Sequence, residues 1–126
     1  MRLLALAFIA LTALLHIYIA WFEMFAWTTK GPEIFTTFAP ELFEPTIQMA
    51  ANQGLYNLFL AAGLIWSLLI KDPKWQFNIA ACFLLFVAIA GIGAAVTIAF
   101  RSGMPQMVPS IIGLVALVLS RRSANA

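Results

Sequence analysis

Apolar residues dominate four long stretches of this chain, and short polar breaks separate them. A helix rises about 1.5 Å per residue, so roughly 20 mostly apolar residues cross the hydrocarbon of a bilayer. Residues 3–27, 48–70 and 75–100 meet that length, and residues 106–120 lie at its short end. Glycine and proline punctuate helices, which predicts breaks at Thr28-Thr-Lys-Gly-Pro32, Lys71-Asp-Pro-Lys74 and Arg101-Ser-Gly-Met-Pro105. Residues 33–47 differ in kind. They hold Pro40, Pro45 and three carboxylates (Glu33, Glu41, Glu44), with Ile34, Phe35, Phe38, Leu42 and Phe43 among them. That mixture suits short amphipathic pieces lying in the membrane interface. The predicted fold class is all-α: an integral membrane four-helix bundle, one domain over residues 1–126, with an interfacial segment between helices 1 and 2.

Composition strengthens this reading. The chain is 63% hydrophobic and 10% charged, with a mean hydropathy of +0.97, too little polar surface to dissolve a domain of this size. The bilayer is the expected partner. The formal charge of +2 rests on few ionised groups and includes no basic run with interleaved polar residues, so nucleic acid is not expected as a partner. The N-terminal Met1-Arg2 and the apolar run behind it resemble a signal peptide, but no A-x-A site follows and the run continues to Trp27. A retained first helix is expected.

Lysine and arginine orient the chain. With both termini in the cytoplasm, Arg2, Lys71, Lys74, Arg121 and Arg122 lie inside, against Lys30 and Arg101 outside. This five-to-two bias predicts one fixed orientation and argues against a dual-topology dimer of the small multidrug exporter type, although a homo-oligomer stays open. Trp21, Trp27 and Trp75 fall near predicted interfaces and read as anchors. The single cysteine, Cys82, excludes an intramolecular disulfide and reads as a buried packing thiol.

The candidate chemistry lies in the outer half of the spans. Ionisable groups inside a membrane are costly and usually face a bundle interior or a wet cavity. Thr12, His16, Glu23 and Trp27, spaced four, seven and four apart, form one stripe on the first helix. His16 lies about two-thirds of the way out by helix rise, and Glu23 near the outer boundary. On the second helix, running inward, Asn57 is expected near the depth of His16, and Asn52 near that of Glu23. The third helix offers Ala90, Gly93 or Ala94, Thr97 and Arg101, and the fourth Gln106, Ser110 and Gly113. The predicted binding residues are His16, Glu23, Asn52, Tyr56, Asn57, Thr97, Arg101 and Gln106.

Plainer readings stand beside these. Small residues let membrane helices approach closely, and Asn, Ser, Thr, Gln and His form interhelical hydrogen bonds. Ala88-Ile-Ala-Gly-Ile-Gly-Ala-Ala95 and Gly63 read as packing surfaces, and Glu23 with Arg101 could be a structural ion pair. One histidine and one secure carboxylate supply too few ligands for a metal. There is no nucleophile motif, phosphate loop or haem attachment sequence. No cofactor and no catalytic residue is assigned.

Three blocks carry a resemblance: His16-Ile-Tyr-Ile-Ala-Trp-Phe-Glu23-Met-Phe, Asn52-Gln-Gly-Leu-Tyr-Asn57 through Gly63, and Ala90-Gly-Ile-Gly-Ala-Ala-Val-Thr97. Over almost its whole length the chain resembles the small bacterial membrane proteins grouped as domain of unknown function thirteen-hundred-and-four. It departs from their pattern at Gly93, Ala94 and Met107. The resemblance implies a four-helix protein of the bacterial inner membrane and brings no established activity. The leading functional expectation is an outward-facing polar pocket that binds, or also moves, a small molecule or lipid head group. The alternatives are an intramembrane acid–base enzyme, such as an isomerase of a lipid-like substrate using His16 and Glu23, a proton-coupled exporter, and a structural subunit that docks through Phe35, Phe38 and Phe43.

Overall fold

A computed structural model describes the backbone of residues 1–125 and the side chains through Arg121. The described residues form an all-helical fold: α1 (Arg2–Phe25), α2 (Trp27–Ile34), α3 (Ile47–Leu69), α4 (Pro73–Thr97) and α5 (Phe100–Asn125), with 3-10 turns at Pro40–Leu42 and Glu44–Thr46. Three of the helices, Arg2–Phe25, Pro73–Thr97 and Phe100–Arg121, are long and apolar enough to cross a membrane. α3 is as long, with 23 residues. Asn52, Gln53 and Asn57 make it less apolar than the others.

The long helices pack in a ring. α1 lies against α3 and α5, and α4 against α5 and α3, with α1 and α4 barely touching across the diagonal. Their inner seam is built from Ala5, Ile9 and Ala13 of α1, Leu64 of α3, Ala80, Leu84 and Val87 of α4, and Ala116 and Leu117 of α5. The alanines keep the helices close. Large apolar side chains point outward instead: Leu3 is 82% exposed, Val96 81% and Phe25 76%. In water such a surface would drive aggregation; in hydrocarbon it costs nothing. Cys82, expected to be buried, is also exposed on this outer surface, because Ala80 and Leu84 face the seam in its place.

The connections show where sequence punctuation works and where it misleads. At Lys71–Lys74 it works: Pro73 opens α4, holds Asp72 extended, and leaves the Asp72 carboxylate to accept the Trp75 backbone N–H at 2.8 Å. At Thr28–Pro32 no break occurs. Those residues lie in α2, Pro32 included, and the chain bends two residues before Thr28, at Ala26 (φ −128°, ψ 16°). Gly31 is there for space, since a Cβ would stand 2.5 Å from the Phe43 ring that covers it. The expected turn at Arg101–Pro105 is likewise helix. The chain reverses at Ile98 and Ala99, and Pro105 and Pro109 sit inside α5. Each proline deletes one i→i−4 bond. The glycine of this stretch serves contact between helices, because a Cβ on Gly103 would strike the Gly91 carbonyl oxygen and lie 2.6 Å from the Ala95 Cβ.

The segment between α1 and α3 folds over one end of the ring. Phe22, Trp27, Phe35, Phe38 and Phe43 pack ring on ring, with centroids 5.1–6.4 Å apart. The Trp27 indole N–H donates to the Thr46 hydroxyl at 2.9 Å. Trp27 is therefore part of an aromatic cluster rather than a free interface anchor. Phe43, 2% exposed, turns inward, so the three phenylalanines do not form an outward docking face.

Candidate functional site

The end of the ring covered by this segment contains the polar residues. On α1, residues 15, 18, 19 and 22 share one face by helical periodicity, and Glu23 sits at its edge. On α3, Gln53, Tyr56, Asn57 and Leu60 share another. Asn57 joins the two helices: its Nδ2 donates to the Glu23 carboxylate at 2.8 Å and to the Gln53 carbonyl oxygen at 3.2 Å. A half-buried carboxylate needs such a donor, since a charged acceptor left without one is costly.

These faces enclose a cavity of about 500 Å³, within the range of small-molecule sites. Its deeper wall is apolar, with Leu15, Ile19, Leu60, Ala90 and Ala94. Its polar wall carries Glu23, Gln53, Tyr56, Asn57, Arg101 and Gln106, with Glu33 contributed by α2. Two carboxylates thus share the cavity with one guanidinium. A second cavity of about 440 Å³ adjoins it and shares Glu23, Phe35, Gln53 and Ile98; Trp27, Phe38 and Phe43 are among the residues that line the rest. Glu23 is common to both.

Of the eight residues predicted from sequence, Glu23, Tyr56, Asn57, Arg101 and Gln106 line the larger cavity. His16, Asn52 and Thr97 do not. Asn52 is exposed, and Gln53, one position or about 100° further round α3, faces the cavity in its place. Asn57 lies beside Glu23 rather than beside His16, a difference of depth along the helices and not of rotation. Thr97 is exposed and donates to the Gly93 carbonyl oxygen of its own helix at 2.8 Å; Ala94 and Ile98 take the cavity face. Glu23 is held by Asn57 rather than paired to Arg101, although both line the cavity.

His16 is fully buried on the α1 seam, two turns below Glu23. Its Nδ1 lies 2.8 Å from the Thr12 carbonyl oxygen. A carbonyl only accepts, so Nδ1 carries the hydrogen and Nε2 of the neutral ring is left as the acceptor. That Nε2 is buried and makes no hydrogen bond of good geometry among the described residues, although the Gln106 carboxamide approaches it. Gln106 is thus the side chain that lies between the histidine and the cavity.

Sequence reasoning missed Tyr18, Gln53, Glu33 and Ser102, which also line the cavity. Gln53 had a signal in its i,i+4 spacing to Asn57. Tyr18 had one in its spacing to Phe22. Glu33 had none, because only the fold-back of α2 brings it there. Among the described residues no three His, Cys, Asp or Glu side chains gather as metal ligands.

A family model described as Protein of unknown function (DUF1304) matches residues 10–118. The chain belongs to this family. No curated protein and no solved structure matches. The DUF1304 match spans the parts of all four long helices that line the larger cavity. It names no ligand or reaction.

Proposed function

We propose that this protein is a four-span helical bundle of the cell inner membrane, both termini cytoplasmic, whose outer end holds a small amphipathic molecule or lipid head group. The observation that carries the binding role is the 500 Å³ cavity, polar on one wall and apolar on the other, with groups from α1, α2, α3, α4 and α5 converging on it. α3 completes the four spans. At 23 residues it is about 34 Å long, enough to cross, and its polar Gln53 and Asn57 turn toward the cavity rather than toward lipid. The orientation rests on the excess of Lys and Arg at the end carrying the termini.

The charges suggest the head group. Arg101 offers a planar donor fork to a carboxylate or phosphate. Glu23 and Glu33 offer acceptors to an ammonium. A zwitterion satisfies both, and its apolar part lies against Leu15, Ile19 and Leu60. The acid–base enzyme reading has less support, because His16 does not line the cavity and only Glu23 of the expected pair is on its wall.

Native mass spectrometry of protein extracted in mild detergent tests the reading. Wild type carries a small-molecule adduct of defined mass, and Arg101→Gln and Glu23→Gln each reduce it while the protein remains folded. A wild-type spectrum showing only the bare chain refutes it.

A further inference from the structure

The opposite end of the ring has its own cleft. Arg2, Ala5 and Leu6 of α1, Lys74 and Phe77 of α4, and Leu117 and Arg121 of α5 line a half-open space of about 330 Å³. Among the described residues, three cations from three different helices line it and no carboxylate does. The nearest acid in sequence, Asp72, is occupied in capping α4. An arginine at a membrane surface normally reaches into water. Arg121 instead holds its guanidinium 4.3 Å above the centroid of the Phe77 ring. A cation over an aromatic face is stabilised and has fewer conformations to lose on binding an anion. The inner wall, with Ala5, Leu6 and Leu117, is apolar. A cationic mouth over an apolar wall, at the depth where head groups lie, matches a phosphate joined to acyl chains.

We propose that this cleft is a site for one anionic phospholipid, its phosphate held by Arg2, Lys74 and Arg121 and its acyl chains lying on the outer faces of the adjoining helices. The excess of cations at this end would draw anionic lipid in general. Their convergence on one cleft makes a site with defined occupancy. Basic residues near a membrane surface contribute additively to anionic lipid binding, and each loss lowers affinity about five-fold. Removing all three therefore weakens binding roughly a hundredfold.

The test uses the full chain in detergent, titrated with phosphatidylglycerol, phosphatidylcholine or inorganic phosphate and read by native mass spectrometry and thermal unfolding. Wild type binds one phosphatidylglycerol in preference to phosphatidylcholine and melts higher with it. Lys74→Gln and Arg121→Gln each weaken binding about five-fold, while Lys30→Gln with Lys71→Gln, cations that do not line the cleft, leave it unchanged. The single variants keep the test usable if Arg2→Gln/Lys74→Gln/Arg121→Gln fails to fold. Equal binding of both lipids overturns the proposal. So does an equal loss in the Lys30/Lys71 control, which would mean diffuse attraction, or displacement of the lipid by millimolar inorganic phosphate, which would mean a site for the free ion.

Discussion

Gly103 and Gly93 allow the same chemical change in opposite surroundings. A Cβ on Gly103 would meet the Gly91 carbonyl oxygen and stand 2.6 Å from both the backbone nitrogen and the Cβ of Ala95, whereas a Cβ on Gly93 meets nothing within 4 Å. Ordinary van der Waals contact for a Cβ begins near 3.4 Å. Gly103→Ala must therefore move α5 away from α4 by close to an ångström. Its obstacles are backbone and a methyl group, which cannot rotate aside. Overpacking of this kind costs about 1–3 kcal/mol. Exchanging glycine for alanine inside a helix returns about 1 kcal/mol of propensity at either site. The propensity gain cancels between the two variants, so Gly103→Ala is expected to be less stable than Gly93→Ala by about 1–3 kcal/mol. Reversible unfolding in bicelles, with both variants in one lipid mixture, measures that difference. Two variants equal within about 0.5 kcal/mol would show that α4 and α5 do not cross closely at Gly91 and Gly103.

Other outcomes follow from the same geometry. Asn57→Ala leaves the Glu23 carboxylate without its 2.8 Å donor and is expected to destabilise by about 1–2 kcal/mol in the same unfolding assay. Glu23→Gln, which retains a side-chain acceptor, is expected to lose less. His16→Leu removes a buried acceptor whose one neighbouring donor, the Gln106 carboxamide, falls short of hydrogen-bond geometry, so its stability is expected within about 1 kcal/mol of wild type. A loss of several kcal/mol would reveal a partner for Nε2. Cys82, exposed midway along α4, is expected to resist a charged, impermeant maleimide in intact membranes and to be labelled once the protein is unfolded in dodecyl sulfate. Rapid labelling by the charged reagent would remove α4 from the bilayer.

The long helices were legible because hydrophobicity extended over 20 or more residues leaves little choice of structure in a bilayer. Short-range punctuation was less reliable. Asp72-Pro73 did what capping chemistry requires, while Pro32, Pro105 and Pro109 stayed inside helices. Gly31 and Gly103 marked close contacts rather than turns, and a sequence shows a glycine without showing what lies above it. For the cavity lining, the facing side of each helix was legible to within one position and depth less well, since Asn57 meets Glu23 rather than His16. Glu23, Tyr56, Asn57, Arg101 and Gln106 do line the cavity. Asn52 and Thr97 each stood one position from the residue that faces the cavity, Gln53 and Ile98. Helix rotation about its own axis is set by packing, and Gly54 against α1 helps to fix it for α3: its missing Cβ would stand 2.5 Å from the Met24 side chain. His16 was correctly placed on the inner stripe, but burial alone does not distinguish a cavity wall from a seam.

The binding role requires the space between α1, α3, α4 and α5 beside Glu23 to be an occupied site. An experimental density map of the protein in native lipid tests it most directly. Non-protein density is expected in contact with Glu23, Asn57 and Arg101, extending over Leu15 and Leu60. Side chains closed over an empty, dry centre would contradict it.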